Sequence, residues 1–158
     1  MENKDSLGKA LGKVASGLYV VTSKDGEAVA AFTASFLVQV SFDPPIVAVA
    51  MKKGRESYDI INSSKAFAVN IISKDSMKLI GLFANPKTSG KEGLDTVAHQ
   101  EKTLGVPVLT DSIAYLECKV HSQTDAGDHT VVFGEVINGE VINEGEPATH
   151  IRKNGFSY

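Results

Sequence analysis

The chain has 158 residues, a formal net charge of -3 and 42% hydrophobic residues, the balance of one ordinary globular domain. The negative charge provides no general field for nucleic acid or an anionic membrane, so neither is an expected partner. The single cysteine excludes an internal disulfide framework, and no apolar run reaches the roughly 20 residues that span a bilayer. The polar N-terminus leads into no secretory core. We therefore predict one cytoplasmic domain over residues 1–158.

The first part of the chain carries a helix signal and then a hairpin signal. Apolar residues recur at helical spacing within residues 5–16 and predict a short helix, with an irregular leader as the alternative. A β-branched and aromatic run then precedes Asp25-Gly26, and a second β-prone run follows it. Both residues of an Asp-Gly pair accept a positive φ, so we predict a hairpin with strands at 17–23 and 27–36.

Strand and helix signals alternate in the middle of the chain. A Pro-Pro pair marks the entry of an apolar strand at 46–51, because proline cannot donate a hydrogen bond to a β-ladder. Apolar spacing predicts a helix at 55–63, and a second short apolar run predicts a strand at 67–72. Hydroxyl and acidic residues at 73–76 have the pattern of a further helix start.

An irregular stretch and a strongly patterned strand follow. Residues 85–111 are rich in Gly, Lys, Thr, Pro and Asp, and they predict a long loop of the kind that often carries function. Residues 113–121 alternate in polarity and predict a half-buried strand. Its predicted buried face carries Ala114, Leu116, Cys118 and Val120, and its predicted exposed face carries Glu117, Lys119 and His121.

The last turn signal decides the fold class. Asn138-Gly139 predicts a tight turn between strands at 130–137 and 140–142. In total the chain shows six or seven strands and two or three short helices. Because the helices are too few to alternate with every strand, a doubly wound parallel sheet is disfavoured. We predict a mainly β protein built as a mostly antiparallel barrel.

The motifs of several common enzyme classes are missing from the sequence. No G-x-G-x-x-G follows a strand, no phosphate-binding P-loop occurs, and no G-x-S-x-G nucleophile elbow is present. The four histidines lack metal-ligand spacing, so no metal site is predicted. Cys118 belongs to an apolar strand face, and we interpret it as core filler instead of a nucleophile.

Small and hydroxyl side chains cluster where the chain turns. Thr33–Phe36 ends a predicted strand, and Ser41–Pro45 opens the next one. Small side chains let a flat ring approach the backbone, whose N–H and C=O groups can then contact the polar edge of the ring. The alternative is a strand end rich in Thr and Ser, followed by a proline turn.

A basic loop and one histidine are the remaining candidates for a site. Lys52–Ser57 places cations, a glycine and a hydroxyl before a predicted helix start, which suits a phosphate monoester. The alternative is a solvated basic loop. His129, within Gly127–Thr130, is a candidate for hydrogen bonding to a ligand or stacking on it. The alternative is a structural turn residue, with Asp128 either orienting the histidine or capping the turn.

Motifs in a consistent order extend over nearly the whole chain. They are Ala10–Gly17 leading to Val20–Thr22, Thr33–Phe36, Val40–Pro45, Arg55–Ser57, Phe67–Ile71, Phe83-Ala84, Gly127–Val131 and Gly134–Val136. With these motifs the chain resembles the flavin reductase-like family, whose fold is the FMN-binding split barrel. The resemblance implies a six-stranded antiparallel Greek-key barrel with peripheral short helices. It also implies a homodimer with a flavin groove near the dimer interface.

The resemblance further implies a reaction and roles for individual residues. Hydride would pass from NADH or NADPH to FMN, or to FAD, and a redox protein partner or a monooxygenase component would receive the electrons. The isoalloxazine ring is expected beside Thr33, Ala34, Ser35 and Phe36, with Ser41 at the ring or the ribityl chain. The phosphate is expected at Lys53, Arg55 and Ser57, with Phe83 and Ala84 closing the groove near it. His129 is expected near the nicotinamide or the flavin, and one aromatic of residues 156–158 beside the ring.

Three functions remain as alternatives. The first is an NAD(P)H-dependent flavin reductase, in which His129 is the catalytic-site residue that positions the nicotinamide. The second is a non-catalytic FMN-binding module that relays electrons between protein partners. The third is a related barrel that binds no flavin and serves as an interaction domain. The fold alone does not choose among them.

Overall fold

The computed structural model describes residues 3–158 and shows a mainly β chain with short helices. The helices are α1 (Lys4–Gly12), α2 (Glu56–Ser64), α3 (Met77–Ala84), which follows a 3-10 turn at Lys74–Ser76, and α4 (Gly90–Asp95). The strands are β1 (Ser16–Gly17), β2 (Tyr19–Asp25), β3 (Ala28–Ala34), β4 (Leu37–Phe42), β5 (Pro45–Lys52), β6 (Ala66–Ile71), β7 (His99–Glu101), β8 (Pro107–Leu109), β9 (Ala114–Ala126), β10 (His129–Val141) and β11 (Thr149–His150). Within this range, no helix has both the length and the apolar character needed to cross a bilayer.

One antiparallel sheet of seven strands forms the body of the protein, in the order β3-β2-β6-β9-β10-β5-β4. Its two edge strands, β3 and β4, are consecutive in the chain and are joined by only Ser35 and Phe36. Because two residues span a short distance, the sheet must curl until its edges lie near each other. No pairing joins β3 to β4 in the described part of the chain, so the curled sheet is split there.

The sheet has seven strands, whereas the resemblance implied six. The additional strand is β4, in a segment that the sequence suggested only as a turn region. Its residues are half-exposed or exposed, and it pairs with β5 on one side only. An edge strand needs no buried face, so its sequence lacks the apolar pattern that marks the inner strands. The Greek-key description of the barrel stays a prediction.

The interior of the curled sheet holds the main hydrophobic core. Val21, Val49, Phe67 and Val132, from four different strands, are all inaccessible to solvent and pack in one cluster. Burial of each such side chain contributes roughly 1.5–3 kcal/mol. Gly134 is required beside Phe67, because a Cβ there would lie 2.5 Å from the Phe67 Cζ atom. The side chains of several strands therefore meet tightly enough to hold the barrel in one shape.

A small lobe covers the outer face of β6 and β9. It contains the β7–β8 pair, and its apolar residues Val106 and Val108 pack with Tyr115 in a separate cluster. This lobe corrects the prediction of a long irregular loop at 85–111. The same stretch also contains α4, whose Ser89 and Glu92 form a reciprocal capping box.

The lobe also corrects one predicted strand face. Lys119 and His121 are exposed as predicted, but Glu117 is completely buried beneath the lobe. Its carboxyl oxygens accept hydrogen bonds from the backbone N–H groups of Thr103 (3.1 Å) and Leu104 (2.8 Å). The Asn138 side-chain amide donates a third bond, of 2.7 Å. The prediction of an exposed Glu117 was wrong because alternating polarity indicates a strand with one buried face, whereas this part of β9 is covered on both faces.

Two turn predictions have different outcomes. The first hairpin is confirmed, but its loop is Gly26-Glu27, since Asp25 pairs with Ala28 and only Gly26 has a positive φ, of 60°. The predicted tight turn at Asn138-Gly139 was wrong, because β10 runs unbroken through these two residues, with a register shift just before them. A β-bulge uses the same permissive residues as a tight turn, so the dipeptide does not distinguish them.

Candidate functional site

Three strand ends and one helix start meet at the same end of the barrel. The carbonyl oxygen of Phe36, before β4, accepts a bond of 2.9 Å from the N–H of Ala50, near the end of β5. His129, the first residue of β10, pairs with Lys52, the last residue of β5. After β5 the chain continues through the Lys53–Arg55 loop into α2. This topology brings the predicted ring-binding, phosphate-binding and histidine segments together.

A groove of about 450 Å³ opens beside the split at this end. Its walls include the small residues Ala15, Ser35, Ala48 and Ala50, with Phe36 at one side. Phe36 bonds to Ala50 across the strands. Because hydrogen-bonding residues alternate along an antiparallel ladder, the backbone N–H and C=O groups of the next residue, Leu37, are directed away from β5 and towards the split. Small walls and outward-facing backbone groups are what a flat heteroaromatic ring requires.

An aromatic cluster forms the outer part of the groove. The ring centroids of Phe36 and His129 are 5.5 Å apart, as are those of Phe36 and Tyr158, and His129 and Tyr158 are 6.1 Å apart. The guanidinium carbon of Arg152 lies 4.9 Å from the centre of the Phe36 ring. Arg152 and Tyr158 come from residues 151–158, whereas Ala15 of the groove wall follows α1. Segments from both ends of the sequence therefore contribute to one site.

A hydrogen-bonded chain runs through His129. Its Nδ1 atom is 2.7 Å from Asp128 Oδ1, and its Nε2 atom bonds to the Tyr158 hydroxyl. The bond to His129 is the main cause that lowers the pKa of the exposed Asp128 carboxyl. Burial raises the pKa of the Tyr158 hydroxyl, and the negative charge of Asp128 adds to that rise. The carboxylate therefore favours the tautomer with the proton on Nδ1, which leaves Nε2 as a hydrogen-bond acceptor.

The basic loop ends in a helix start that is suited to an anion. Arg55 is the N-cap of α2 with an extended backbone, and no side chain of residues 3–158 caps this helix. The N–H groups of Glu56 and Ser57 at its start have no partners within the helix, and the helix dipole favours negative charge there. Lys53 is less available, because its ammonium forms an ion pair with Asp125.

The structure separates the predicted site residues into groups. Ser35, Phe36 and His129 lie at the groove or its aromatic cluster, and Lys53, Arg55 and Ser57 lie at the same end of the barrel. Thr33 instead donates a bond of 2.7 Å to the carbonyl oxygen of Ile80 on α3, and Ala34 packs in the barrel core.

The remaining predicted residues lie outside the groove walls. Ser41 is near the far end of β4, about 16 Å from Phe36 at the usual rise of a strand. Phe83 packs with Leu94 and Leu109 in a second hydrophobic cluster, and Ala84 is exposed at the end of α3. Their predicted roles at the flavin therefore remain proposals.

Sequence reasoning missed several groove residues. Ala48 and Ala50 alternate with the buried Val47 and Val49 in β5, a pattern that marks one face with small side chains. That signal is readable in the sequence, where the two alanines stand within the apolar run at 46–51. Arg152 has no local signal, because its place over Phe36 depends on how the last residues fold back.

The structure thus combines an antiparallel barrel, a small-walled groove and an uncapped helix start at one end of the barrel. The model of the flavin reductase like domain matches residues 11–157, and the chain belongs to this family. The predicted family is thereby confirmed over nearly the whole chain.

Three similar proteins illustrate the range of the family. Diflavin flavoprotein A 1 of Synechocystis sp. is 37% identical over 154 residues, which are 96% of this chain and 27% of that protein. NADH:FAD oxidoreductase SgcE6 of Streptomyces globisporus, solved in complex with NAD and FAD fragments, has 27% identity and a TM-score of 0.83, covering 90% of this chain and 85% of that one. A nitrilotriacetate monooxygenase component B homologue from Mycobacterium thermoresistibile has 26% identity and a TM-score of 0.84, and the match covers 92% of this chain and 80% of that one. The chain thus spans about a quarter of the length of the diflavin flavoproteins it matches.

Proposed function

We propose that this protein is a flavin-dependent oxidoreductase that transfers hydride from NADH or NADPH to FMN. The observation that carries the proposal is the arrangement of the groove. It offers small walls and backbone polar groups for a flat ring, and the uncapped start of α2 with Arg55 for an anionic tail. The solved relative with NAD and FAD fragments supports both classes of ligand. FAD in place of FMN is compatible with the same contacts.

The protein residues would bind and orient, while hydride transfer itself belongs to the nicotinamide and flavin rings. Ser35 and Phe36 would hold the flavin ring at the split, and Arg55 and Ser57 would bind its phosphate. We also keep Thr33, Ala34, Ser41, Lys53, Phe83 and Ala84 as proposed flavin-side residues. His129 would receive the nicotinamide carboxamide at Nε2. The proposed mechanism requires no general acid or base, since hydride passes directly between the two rings.

The visible spectrum of the protein tests this function directly. The purified chain, mixed with FMN and freed of excess ligand, is expected to be yellow and to bleach when NADH or NADPH is added without oxygen. Steady-state oxidation of NADH or NADPH with added FMN measures the turnover. A protein that gains no flavin spectrum would contradict the proposal and would favour an interaction domain of the same fold.

An electron relay between protein partners is the second candidate. It is favoured by the observation that this kind of domain makes up about a quarter of the matched diflavin flavoproteins, as 27% of one of them shows. A relay would bind FMN tightly and oxidise NADH and NADPH poorly, so the same turnover assay separates the two functions. The monooxygenase component among the solved relatives suggests a monooxygenase as another acceptor of the electrons.

In a Tyr158→Phe background, where His129 Nε2 has no bond to the Tyr158 hydroxyl, replacing His129 with alanine is expected to raise the KM for NADH or NADPH by roughly five-fold, with FMN affinity largely unchanged. The variant loses the acceptor for the carboxamide but leaves the Arg55 loop intact. Steady-state kinetics and FMN titration measure the two effects separately. His121→Ala is a matched control, because His121 is exposed on β9 and lies outside the groove. Full activity with an unchanged KM after His129→Ala in that background would remove this residue from the mechanism.

We also propose that the protein acts as a homodimer in the cytoplasm. Val38 and Val40 on the edge strand β4 are 59% and 50% exposed, and Phe42 is 92% exposed. An exposed apolar edge strand is a surface that proteins usually cover. The groove opens beside this strand, so a second copy seated there would lie near the flavin. The cytoplasm supplies NADH and NADPH, which the proposed reaction consumes.

A further inference from the structure

Tyr158 covers His129 in this structure. The His129 side chain is only 13% exposed, whereas Tyr158, whose hydroxyl bonds to His129 Nε2, is 66% exposed. With Asp128 on Nδ1, both ring nitrogens of the histidine are engaged within the protein. A ligand that is to reach Nε2 must therefore first displace the Tyr158 hydroxyl.

The Tyr158 ring also occupies the space next to Phe36. Their centroids are 5.5 Å apart with an interplanar angle of 42°. A third ring stacked between two others needs them about 7 Å apart, given a van der Waals separation of about 3.5 Å on each side. No aromatic ligand fits between these two side chains as they stand, so the phenol ring must move as well.

We propose that Tyr158 is a displaceable cover of the nicotinamide subsite and that it imitates the nicotinamide. It presents an aromatic ring to Phe36 and a hydrogen-bond donor to His129 Nε2, which are the two features of a nicotinamide ring with its carboxamide. This inference rests on the proposed use of NADH or NADPH. The cover and the dinucleotide compete for one place, so each bound dinucleotide displaces Tyr158.

The attachment of residues 151–158 suits a cover that stays near the site while its aromatic ring moves. Gly155 donates a bond of 2.7 Å to the carbonyl oxygen of Gly8 in α1, and Arg152 donates one of 3.2 Å to the carbonyl oxygen of Gly155. A Cβ on Gly155 would lie 2.0 Å from Leu11, so this contact admits only glycine. Residues 151–158 form neither helix nor strand. Tyr158, three residues beyond the Gly155 contact, bonds to His129 through its side-chain hydroxyl.

Removing the cover is expected to strengthen dinucleotide binding without changing the chemical step. The apparent dissociation constant equals the intrinsic one divided by the fraction of molecules in the uncovered state, and one hydrogen bond accounts for roughly a five-fold bias towards the covered state. Tyr158→Phe removes the hydroxyl alone, and Tyr158→Ala removes the ring too. Both should lower the KM for NADH or NADPH by roughly five-fold or more, with kcat unchanged.

The FMN-loaded protein is the material for this test. Steady-state kinetics give KM and kcat for the wild type, Tyr158→Phe and Tyr158→Ala. Phe156→Leu is the matched control, because it alters an exposed aromatic of the same segment that does not contact His129. In a His129→Ala background, Tyr158→Phe should have no further effect on KM, since the bond it removes is already absent.

A second readout follows Tyr158 itself. The four tyrosines can be labelled with 3-fluorotyrosine, and Tyr158→Phe identifies the fluorine resonance of Tyr158. Addition of NAD+ or NADP+ to the FMN-loaded protein should move that resonance towards its solvent-exposed position. The shift reports displacement without any turnover.

The outcomes separate the cover from the function on which it rests. A wild type that neither binds FMN nor oxidises NADH or NADPH would overturn the proposed function, and the cover with it. An active wild type whose Tyr158 variants show an unchanged or raised KM would overturn the cover alone. In that case Tyr158 would support His129 instead of competing with the nicotinamide. A fluorine resonance that does not respond to saturating NAD+ or NADP+ would also overturn the cover.

Discussion

Replacing Glu117 with leucine is expected to lower the free energy of unfolding by about 3–5 kcal/mol. The carboxyl group is completely buried and accepts hydrogen bonds from the Thr103 and Leu104 backbones and from the Asn138 amide. Leucine fills most of the same volume but accepts none of these bonds. The Thr103 and Leu104 N–H groups would then lose their acceptor beneath the lobe, while the Asn138 amide would keep only its bonds to the Thr103 hydroxyl (3.1 Å) and the Tyr115 hydroxyl (3.5 Å). Because domains are stable by only about 5–15 kcal/mol, this loss is a large fraction of the total.

Urea or thermal unfolding of the protein without ligand measures this effect. Glu117→Gln should cost less than leucine, because one oxygen remains to accept the Leu104 N–H. Glu144→Leu makes the same chemical change at an exposed loop position and should be nearly neutral. An unfolding free energy equal to that of the wild type in Glu117→Leu would mean that the lobe donors find other partners. It would contradict the view that this carboxyl group fastens the lobe to the barrel.

The sequence predicted those elements that local physics determines. The Pro-Pro pair marks the start of β5, which begins at Pro45, and the apolar spacing at 55–63 corresponds to α2. The hairpin after β2 follows from a glycine in the loop, where a positive φ costs little. Each of these signals depends on residues that are close together in the chain, so the sequence alone is enough to read them.

The failures have a common physical cause, because each depends on contacts between distant residues. Glu117 is buried only because the lobe folds back over β9, and its partners lie 13 to 21 positions away in the sequence. The strand β4 exists because β5 offers it a free edge. Asn138-Gly139 remains in a strand because the long β9 pairs with it on both sides of the register shift. Local propensity cannot report such partners.

The candidate site divides in the same way. Arg55 and Ser57 precede and open a helix, so their relation to an anion site is readable from the sequence. The place of His129 beside Lys52 follows once β5 and β10 are known to pair. Arg152 and Tyr158 join the site only because the last residues fold back against α1. No motif within the last ten residues indicates that return, although an aromatic beside the ring was expected there.

Replacing Arg55 with alanine is expected to weaken FMN binding by roughly 10–100-fold, the largest effect that any single side chain of the site should have. Arg55 is exposed at the start of α2, and no acidic side chain of residues 3–158 forms an ion pair with it. The net charge of -3 gives the protein no other general attraction for a phosphate. Charge-assisted bonds to the FMN phosphate would therefore depend on this residue and the helix start. Fluorescence quenching of FMN on titration with the protein measures the affinity.

Riboflavin provides the control that separates the phosphate contact from the rest of the groove. It carries the same ring and ribityl chain without the phosphate, so Arg55→Ala should leave its affinity nearly unchanged. Lys53→Ala should weaken FMN binding less than Arg55→Ala, because the Lys53 ammonium already pairs with Asp125. If Arg55→Ala lost equal affinity for riboflavin and for FMN, Arg55 would support the shape of the loop instead of binding the phosphate. Unchanged FMN affinity would place the anionic tail elsewhere and would require a different orientation of the flavin in the groove.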